Sequence, residues 1–298
     1  MQTILDLLLS EVDELLDKES LSKFDLIHVE NFIKSIPNND PKKVELENRF
    51  YKHQINFISE LIKKSKYTMV LTGAGMSTES GIPDFRSKEG FYSKYPENLL
   101  SHSFFYKDPD TFYKGFMDKF KHMLNAKPNI GHNILAKWEA DEIIQEIATQ
   151  NIDGLHQLAG SKFVTEVHGS IKTFTLQDKR NPIKFNLEDI LTENKEINYY
   201  YNNIKSPKNL IKPDVVLFEE NVIGLNPILK RARNKTELII ILGTSLKVQP
   251  FSSIPKEIRS GTPIIIINYD STDLDYDRNV IKVSRGIGDT LVDINKLL

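Results

Sequence analysis

The sequence predicts an α/β protein: a doubly wound parallel sheet with a helical N-terminal extension. Three observations lead there. Short apolar runs suited to strands buried on both faces, Leu238 to Leu242 and Ile264 to Ile267 among them, alternate with helical patterns. The runs Met69-Val70-Leu71 and Leu238 to Leu242 both lead into turns of small residues. The residues before 57 show helical periodicity and no strand pattern.

In chain order, Ile4, Leu8, Val12 and Leu15 recur at helical spacing with Leu7 and Leu16 beside them, while Asp6, Glu11, Asp13 and Glu14 occupy other faces. A second helical pattern, Phe24, Ile27, Phe32 and Ile33, leads to the turn or linker Ser35-Ile36-Pro37-Asn38-Asn39-Asp40-Pro41. A third helix runs through Phe57, Leu61 and Ile62 toward the first strand. Residues 1–56 therefore form an extension, either a cap packed on the main domain or a partner surface; its His28 has no acid or ligand partner nearby in sequence. Residues 57–298 form the main domain. Ile143 to Thr149 and Val164 to His168 supply further strands, and Pro227 to Arg233 is helical. In such a sheet, ligands bind outside the carboxyl ends of the strands.

Composition narrows the function. Lys plus Arg number 39 against 41 Asp plus Glu, a balance that gives no global attraction to nucleic acid or anionic membrane. Lys63-Lys64-Ser65-Lys66 reads as a solvated helix end. No run approaches the roughly 18 to 20 apolar residues needed to span a bilayer, and the expected location is cytoplasmic. The chain has 0 cysteines, which removes disulfides, thiol nucleophiles and cysteine-ligated zinc.

The chemistry gathers after the strands. Thr72-Gly73-Ala74-Gly75-Met76-Ser77-Thr78-Glu79-Ser80-Gly81-Ile82-Pro83-Asp84-Phe85-Arg86-Ser87 follows the first strand, and small residues there let backbone N–H groups approach a phosphate. Gln150-Asn151-Ile152-Asp153-Gly154-Leu155-His156 follows the next; its Asn and Asp either meet a ligand or cap a helix. His168, in Val167-His168-Gly169-Ser170, is either a general base or a hydrogen-bonded core histidine. Gly243-Thr244-Ser245-Leu246 offers donors to a phosphate or is an ordinary turn, and Asn268 holds a ribose or ends a strand.

In this order, from about Tyr67 to Asp289, the motifs resemble those of the sirtuins, NAD-consuming protein deacylases and ADP-ribosyltransferases. The resemblance implies a Rossmann-like domain with a small inserted module, NAD as cofactor and an acyl-lysine protein or peptide as substrate. It implies that Gly73, Ala74, Gly75, Thr78, Gly243, Thr244, Ser245 and Asn268 hold NAD, with Asp84, Phe85 and Arg86 closing over it. Ile152 and Asp153 receive nicotinamide, and Gln150 and Asn151 address its ribose. The implied reaction is attack of the acyl oxygen at the ribose, with loss of nicotinamide; His168 then deprotonates a ribose hydroxyl, and water frees lysine and 2′-O-acyl-ADP-ribose. His168, Asn151 and Asp153 are the expected catalytic residues. His156 resembles a structural position.

Two departures stand out. Typical sirtuins carry a zinc ribbon of two Cys pairs after the His-Gly motif, whereas residues 171–212 contain neither Cys nor His. This module is expected to be metal-free and held by Phe174, Ile183, Phe185, Leu187, Ile190 and Leu191. The segment Lys212-Pro213-Asp214-Val215-Val216-Leu217-Phe218-Glu219-Glu220-Asn221 resembles the one that pairs with acyl-lysine peptides, with Val216, Leu217, Phe218, Glu219 and Val248 as substrate contacts. The family usually has glycine where this chain has Glu219, and Leu-Pro where it has Val222-Ile223, changes that block or redirect a peptide. Phe91-Tyr92-Ser93-Lys94-Tyr95 lacks the Tyr-x-x-Arg pair of members that prefer acidic acyl groups. An NAD glycohydrolase or mono-ADP-ribosyltransferase and a non-catalytic NAD sensor are the alternatives; the trio Asn151, Asp153 and His168 argues against the sensor.

Overall fold

The central strands are apolar on both faces, and the rest of the molecule is arranged to cover them. The computed structural model describes residues 4–83, 96–120, 123, 125–176, 183–186, 210–275 and 277–298. Its strands are β1 (Thr68–Thr72), β2 (Glu146–Thr149), β3 (Val164–Glu166), β4 (Gly169–Leu176), β5 (Lys184–Asn186), β6 (Ile211–Val215), β7 (Leu238–Leu242), β8 (Ile264–Ile267) and β9 (Val280–Val283). Six of them form a parallel sheet in the order β3-β2-β1-β7-β8-β9. The remaining three form a small antiparallel sheet, β5-β4-β6. The strand order reverses beside β1, whose neighbours are β2 and β7, so the crevice of a doubly wound sheet opens at these three carboxyl ends.

Alternate residues of β1, β7 and β8 feed two cores. Val70, Ile240, Leu242, Ile265 and Ile267 pack on one face with helices α3 (Pro41–Lys64), α6 (Ile130–Ala140) and α9 (Ile287–Asn295). Met69, Leu71, Ile239, Ile241, Ile264 and Ile266 pack on the other with α8 (Leu225–Asn234) and the 3-10 turn Phe251–Glu257. At about 1.5–3 kcal/mol for each large side chain fully buried, these strands supply the main driving force for the fold. A third cluster, built by α4 (His102–Lys107) and α5 (Pro109–Phe120), joins Phe105, Phe112 and Phe116 to Ile152, Phe174 and Leu217 and so seats the small sheet on the large one.

The extension consists of α1 (Ile4–Leu16), α2 (Lys23–Ser35) and the first half of α3. Ser22 and Asp25 form a reciprocal capping box that starts α2, and Asp40 caps α3 immediately before Pro41. The buried face of α2 is Leu26, Val29, Phe32 and Ile33, whereas Phe24 is 81% and Ile27 38% exposed. Only the second half of the expected stripe therefore faces the core, because Leu26 and Val29, not Phe24 and Ile27, align with Phe32 and Ile33 on a helix of 3.6 residues per turn. His28 does acquire an acid, the Glu11 carboxylate 3.5 Å away across the α1–α2 contact. The boundary expected after residue 56 falls inside α3, an unbroken helix that packs Leu46 and Phe50 into the extension and Ile55, Ile58 and Ile62 onto the sheet.

In the small sheet, Phe174 is buried and Phe185 packs beside it, while Ile183 is 49% exposed and contributes no core. Leu187, Ile190 and Leu191 lie outside the described residues. The Asp214 carboxylate of β6 accepts hydrogen bonds from the Thr173 and Thr175 hydroxyls of β4, both at 2.6 Å, with Lys184 of β5 at 3.8 Å. Among the described residues no three His, Cys, Asp or Glu are placed to hold a metal, and no helix is long and apolar enough to cross a membrane.

Behind the crevice, His132 of α6 and His156 of α7 (Leu155–Ala159) are buried with ring centroids 4.8 Å apart. The Thr72 hydroxyl donates to Thr149 Oγ1 at 2.7 Å, so His156 Nε2, 3.0 Å from Thr72 Oγ1, is the donor of their contact. Burial depresses His132 from 6.5 to about 4 and His156 to about 3.

Both histidines are neutral in the fold and take up protons once it unfolds below pH 6.5, so the stability they carry is present above 6.5 and lost as pH falls toward 4 and then 3. Urea midpoints are expected to drop between about pH 7 and 5.5, and His132→Gln to flatten that drop; equal slopes in both proteins would show that the pair does not couple to folding. Chelator treatment is expected to leave the melting temperature unchanged, and a fall would reveal a metal in the small module.

Candidate active site

Two turns meet at the carboxyl ends of β1 and β7. Gly73 N–H donates to Leu242 O at 3.1 Å and Gly75 N–H to Gly243 O at 2.9 Å. Gly243 has φ +60°, and a Cβ on it would lie 2.4 Å from Met76 N; a Cβ on Gly75 would lie 2.8 Å from Gly243 Cα. These glycines therefore serve close packing of one turn on the other. The N–H groups of Gly73 and Gly75 are thus engaged by the main-chain carbonyls of Leu242 and Gly243.

The end of β2 is tied to the same crossing. Asn151 Nδ2 donates to Gly73 O at 2.9 Å and to Ser77 Oγ at 3.1 Å, and Ser77 Oγ donates to Asp153 Oδ2 at 2.8 Å. Asp153 Oδ1 accepts from Leu155 N at 2.9 Å in the turn before α7, whose N-cap is Gly154 and carries no side-chain cap bond, so the carboxylate steadies the turn without being the helix N-cap. Burial pushes the Asp153 carboxyl up, opposed by the Leu155 amide and the Ser77 hydroxyl. The Gln150 carbonyl lies 3.2 Å from His168 Nδ1. Gln150 Oε1 accepts from Thr244 Oγ1 at 2.9 Å, which leaves its buried Nε2 without a partner among the described residues.

His168 follows β3 and precedes β4. Gly169, at φ +74°, lets the chain cross β6 so closely that a Cβ would lie 2.1 Å from Asp214 O, and His168 O accepts from Val216 N at 2.8 Å. Since a carbonyl only accepts, the Gln150 contact places the proton on Nδ1 and leaves the Nε2 lone pair free. Burial lowers the pKa of the ring, the Gln150 carbonyl raising it in part, so the neutral form is present at pH 7.

A cavity of about 330 Å³ joins these parts. Ala74, Gly75, Gln150, Asn151, Ile152, Asp153, His168, Gly243, Thr244, Ser245 and Asn268 line it, as do Val216, Leu217 and Val248 and, exposed at its rim, Phe218 and Glu219. Gly73 stands behind the lining, and Thr78 is exposed with its hydroxyl donating to Gly75 O at 3.0 Å, so neither borders the cavity. Asp84, Phe85 and Arg86, with Phe91 to Tyr95, lie outside the described residues. Asn268 Nδ2 is held by the carbonyls of Thr244 and Asp270 at 3.3 and 3.2 Å.

The Sir2 family signature matches residues 73–250, the stretch that contributes most of this lining. A protein named NAD-dependent protein deacetylase from Thermotoga maritima is 37% identical over 243 residues, covering 76% of this chain and 94% of its own. The chain belongs to the Sir2 family. Among solved structures, Sir2 bound to acetylated peptide superposes with a TM-score of 0.70 at 32% identity, covering 81% of this chain and 97% of that one. Sir2 with a p53 peptide and NAD+ gives 0.69 at 33% identity, over 81% and 96%.

Several residues of this Sir2 cavity escaped sequence reasoning. Phe116, Phe120 and Met123 form part of its apolar wall, and Phe112, Phe116 and Phe120 repeat at four-residue spacing, a signal that marks one face of a helix but not which cavity it borders. Ser77 and Asp270 carry no sequence signal of their place. At the mouth, Phe218 has its N–H donated to Leu100 O and its carbonyl accepting from His102 N, both at 3.0 Å, so its main chain is already paired. An added peptide strand would have to engage its neighbours.

Ser77→Ala is expected to destabilise the domain by about 1–3 kcal/mol in chemical denaturation, because Asp153 Oδ2 loses its donor in a buried site. A change within about 0.5 kcal/mol would show that the network does not hold the cleft.

Proposed function

We propose that this chain is an NAD-dependent protein lysine deacylase that releases nicotinamide and 2′-O-acyl-ADP-ribose. The observation that carries the proposal is His168: neutral, fixed through Nδ1, and lining the same cavity as the turn Gly243 to Ser245. The fit to NAD is supported by Gln150 Nε2, a buried donor without a partner among the described residues and suited to a ribose hydroxyl. Bound NAD supplies a glycosidic bond whose cleavage frees nicotinamide and leaves the ribose to accept the acyl group.

The protein's part is positioning, exclusion of water and one base. His168 Nε2 takes the proton of a ribose hydroxyl while Nδ1 keeps its own on Gln150 O. Ile152 and Asp153, which line the cavity, are the proposed nicotinamide contacts, and Gln150 with Asn151, the latter bonded to Gly73 O and Ser77 Oγ, the proposed contacts to its ribose. Ala74, Thr244, Ser245 and Asn268 are the proposed contacts to the rest of NAD, with Thr78, Asp84, Phe85 and Arg86 proposed from the family motif. Val216, Leu217, Glu219 and Val248 are the proposed acyl-peptide contacts. We place the enzyme in the cytoplasm, which fractionation would check.

The committed main chain of Phe218 favours NAD glycohydrolase or mono-ADP-ribosyltransferase activity as the second reading, because it narrows the edge open to a peptide. Product analysis by mass spectrometry separates the two: acyl-ADP-ribose formed only with acyl-peptide supports deacylation, whereas ADP-ribose or modified protein formed without it supports the second.

His168→Ala is expected to lower deacylation by about 100- to 10,000-fold at unchanged melting temperature. Because the ring's pKa is lowered and the reaction uses its neutral form, the acid limb of the kcat/KM profile should fall below the ordinary histidine value of 6.5. A limb above it would exclude His168 as the base.

A further inference from the structure

The geometry of the cavity mouth points to Glu219 as a specificity-determining residue: we propose that its carboxylate selects acyl-lysine peptides carrying Lys or Arg beside the modified residue. The inference rests on the deacylase reading and adds the chemical class of the preferred sequence. Glu219 belongs to the stretch 215–220 that lines the cavity, and the loop Lys247 to Pro250 lines the same cavity. It adopts φ +77°, a left-handed conformation that glycine would hold without strain and that a glutamate side chain resists. A strained residue at a ligand-facing rim motivates a functional role.

What the side chain does there is specific. Its two carboxylate oxygens accept from Ser103 N and Ser103 Oγ, each at 2.9 Å, at the start of α4. Both donors are neutral, so they fix the carboxylate without cancelling its charge. The neighbouring Glu220 differs: it is half-buried and paired with Lys212 at 2.9 Å. Glu219 itself is exposed, and among the described residues no ion pair engages it. Among the described residues, the other exposed charged side chains lining the cavity are Lys247 and Asp270. With the Lys212–Glu220 pair neutral, the described residues of the rim carry two negative charges, Glu219 and Asp270, against one positive, Lys247, and Glu219 is the one held by two hydrogen bonds.

A charge held in place in advance attracts a cationic side chain without the ordering cost of a free glutamate, and repels an acidic one. The flanks of the substrate, more than its acyl group, are then read by this residue.

The test is kcat/KM on three acetyl-lysine peptides that differ only in flanking Arg, Ala or Glu, at low and high salt, for the full-length protein, Glu219→Gln and Ser103→Ala. Wild type should favour the Arg over the Glu peptide by about fivefold or more at low salt, and less at high salt. Glu219→Gln, which keeps the length and removes the charge, should abolish the preference; Ser103→Ala, which keeps the charge and frees the side chain, should weaken it. No preference in wild type, or an undiminished one in Glu219→Gln, would overturn the proposal while the Ala peptide is still turned over. Failure of every peptide, the Ala one included, would instead overturn the deacylase reading and this inference with it.

Discussion

The contact between the turn at Gly73 to Gly75 and the turn at Gly243 is the constraint on which the cleft depends. β1 and β7 run parallel in register, Thr72 beside Leu242, and their exits must cross within van der Waals distance of each other. Only residues without a Cβ permit this. Once the crossing is made, Thr244 reaches Gln150 and Gly73 O reaches Asn151, so the ends of β1, β2 and β7 become one hydrogen-bonded unit. Sequence-level thinking assigns glycine-rich turns to phosphates; here the glycines act first on one another, and the ligand-facing groups are those left over.

Burial then sets the chemistry. The ring of His168 is kept neutral by desolvation, and the same effect raises Asp153, so the acid and the base in one cavity are both moved away from their charged forms. Neither is left unpartnered. Asp153 keeps two donors, and His168 keeps the Gln150 carbonyl, which selects the nitrogen that remains basic. Behind them, the pair His132 and His156 makes the support of Thr72 and Thr149 sensitive to acid, although neither ring borders the cavity.

Much of this was legible in the sequence, for physical reasons that differ by element. β7 and β8 coincide with their apolar runs because a strand buried on both faces has no polar position to blur its ends. The motif residues from Gln150 to Asp153 and His168 come together because the carboxyl ends of adjacent parallel strands are adjacent in space. What escaped was set by tertiary packing. The stripe of α2 was misplaced at Phe24 and Ile27, since periodicity cannot say which of two overlapping apolar faces finds a partner. Ser77 could not be found because its role comes from two residues more than seventy positions away. The aromatic wall from α5 was visible as a helix face but not as a boundary of the cleft.

The small sheet explains how His168 keeps its place in a chain without cysteines. β4 and β6 are joined by the Asp214 carboxylate, which takes one hydroxyl from each of two alternate threonines on β4, while Phe174 of β4 packs on Phe116 of α5. These are local, directional bonds of the kind charge strengthens, and they act at the strand pair that begins with Gly169. There the crossing over Asp214 O leaves no room for a side chain, so the backbone at 169 is held close against β6. His168 is the residue immediately before that fixed point, with its carbonyl bonded to Val216 and its ring to Gln150. Its orientation is thus set jointly by the two sheets, and a change in the module that shifted β6 would reach the base through a single peptide unit.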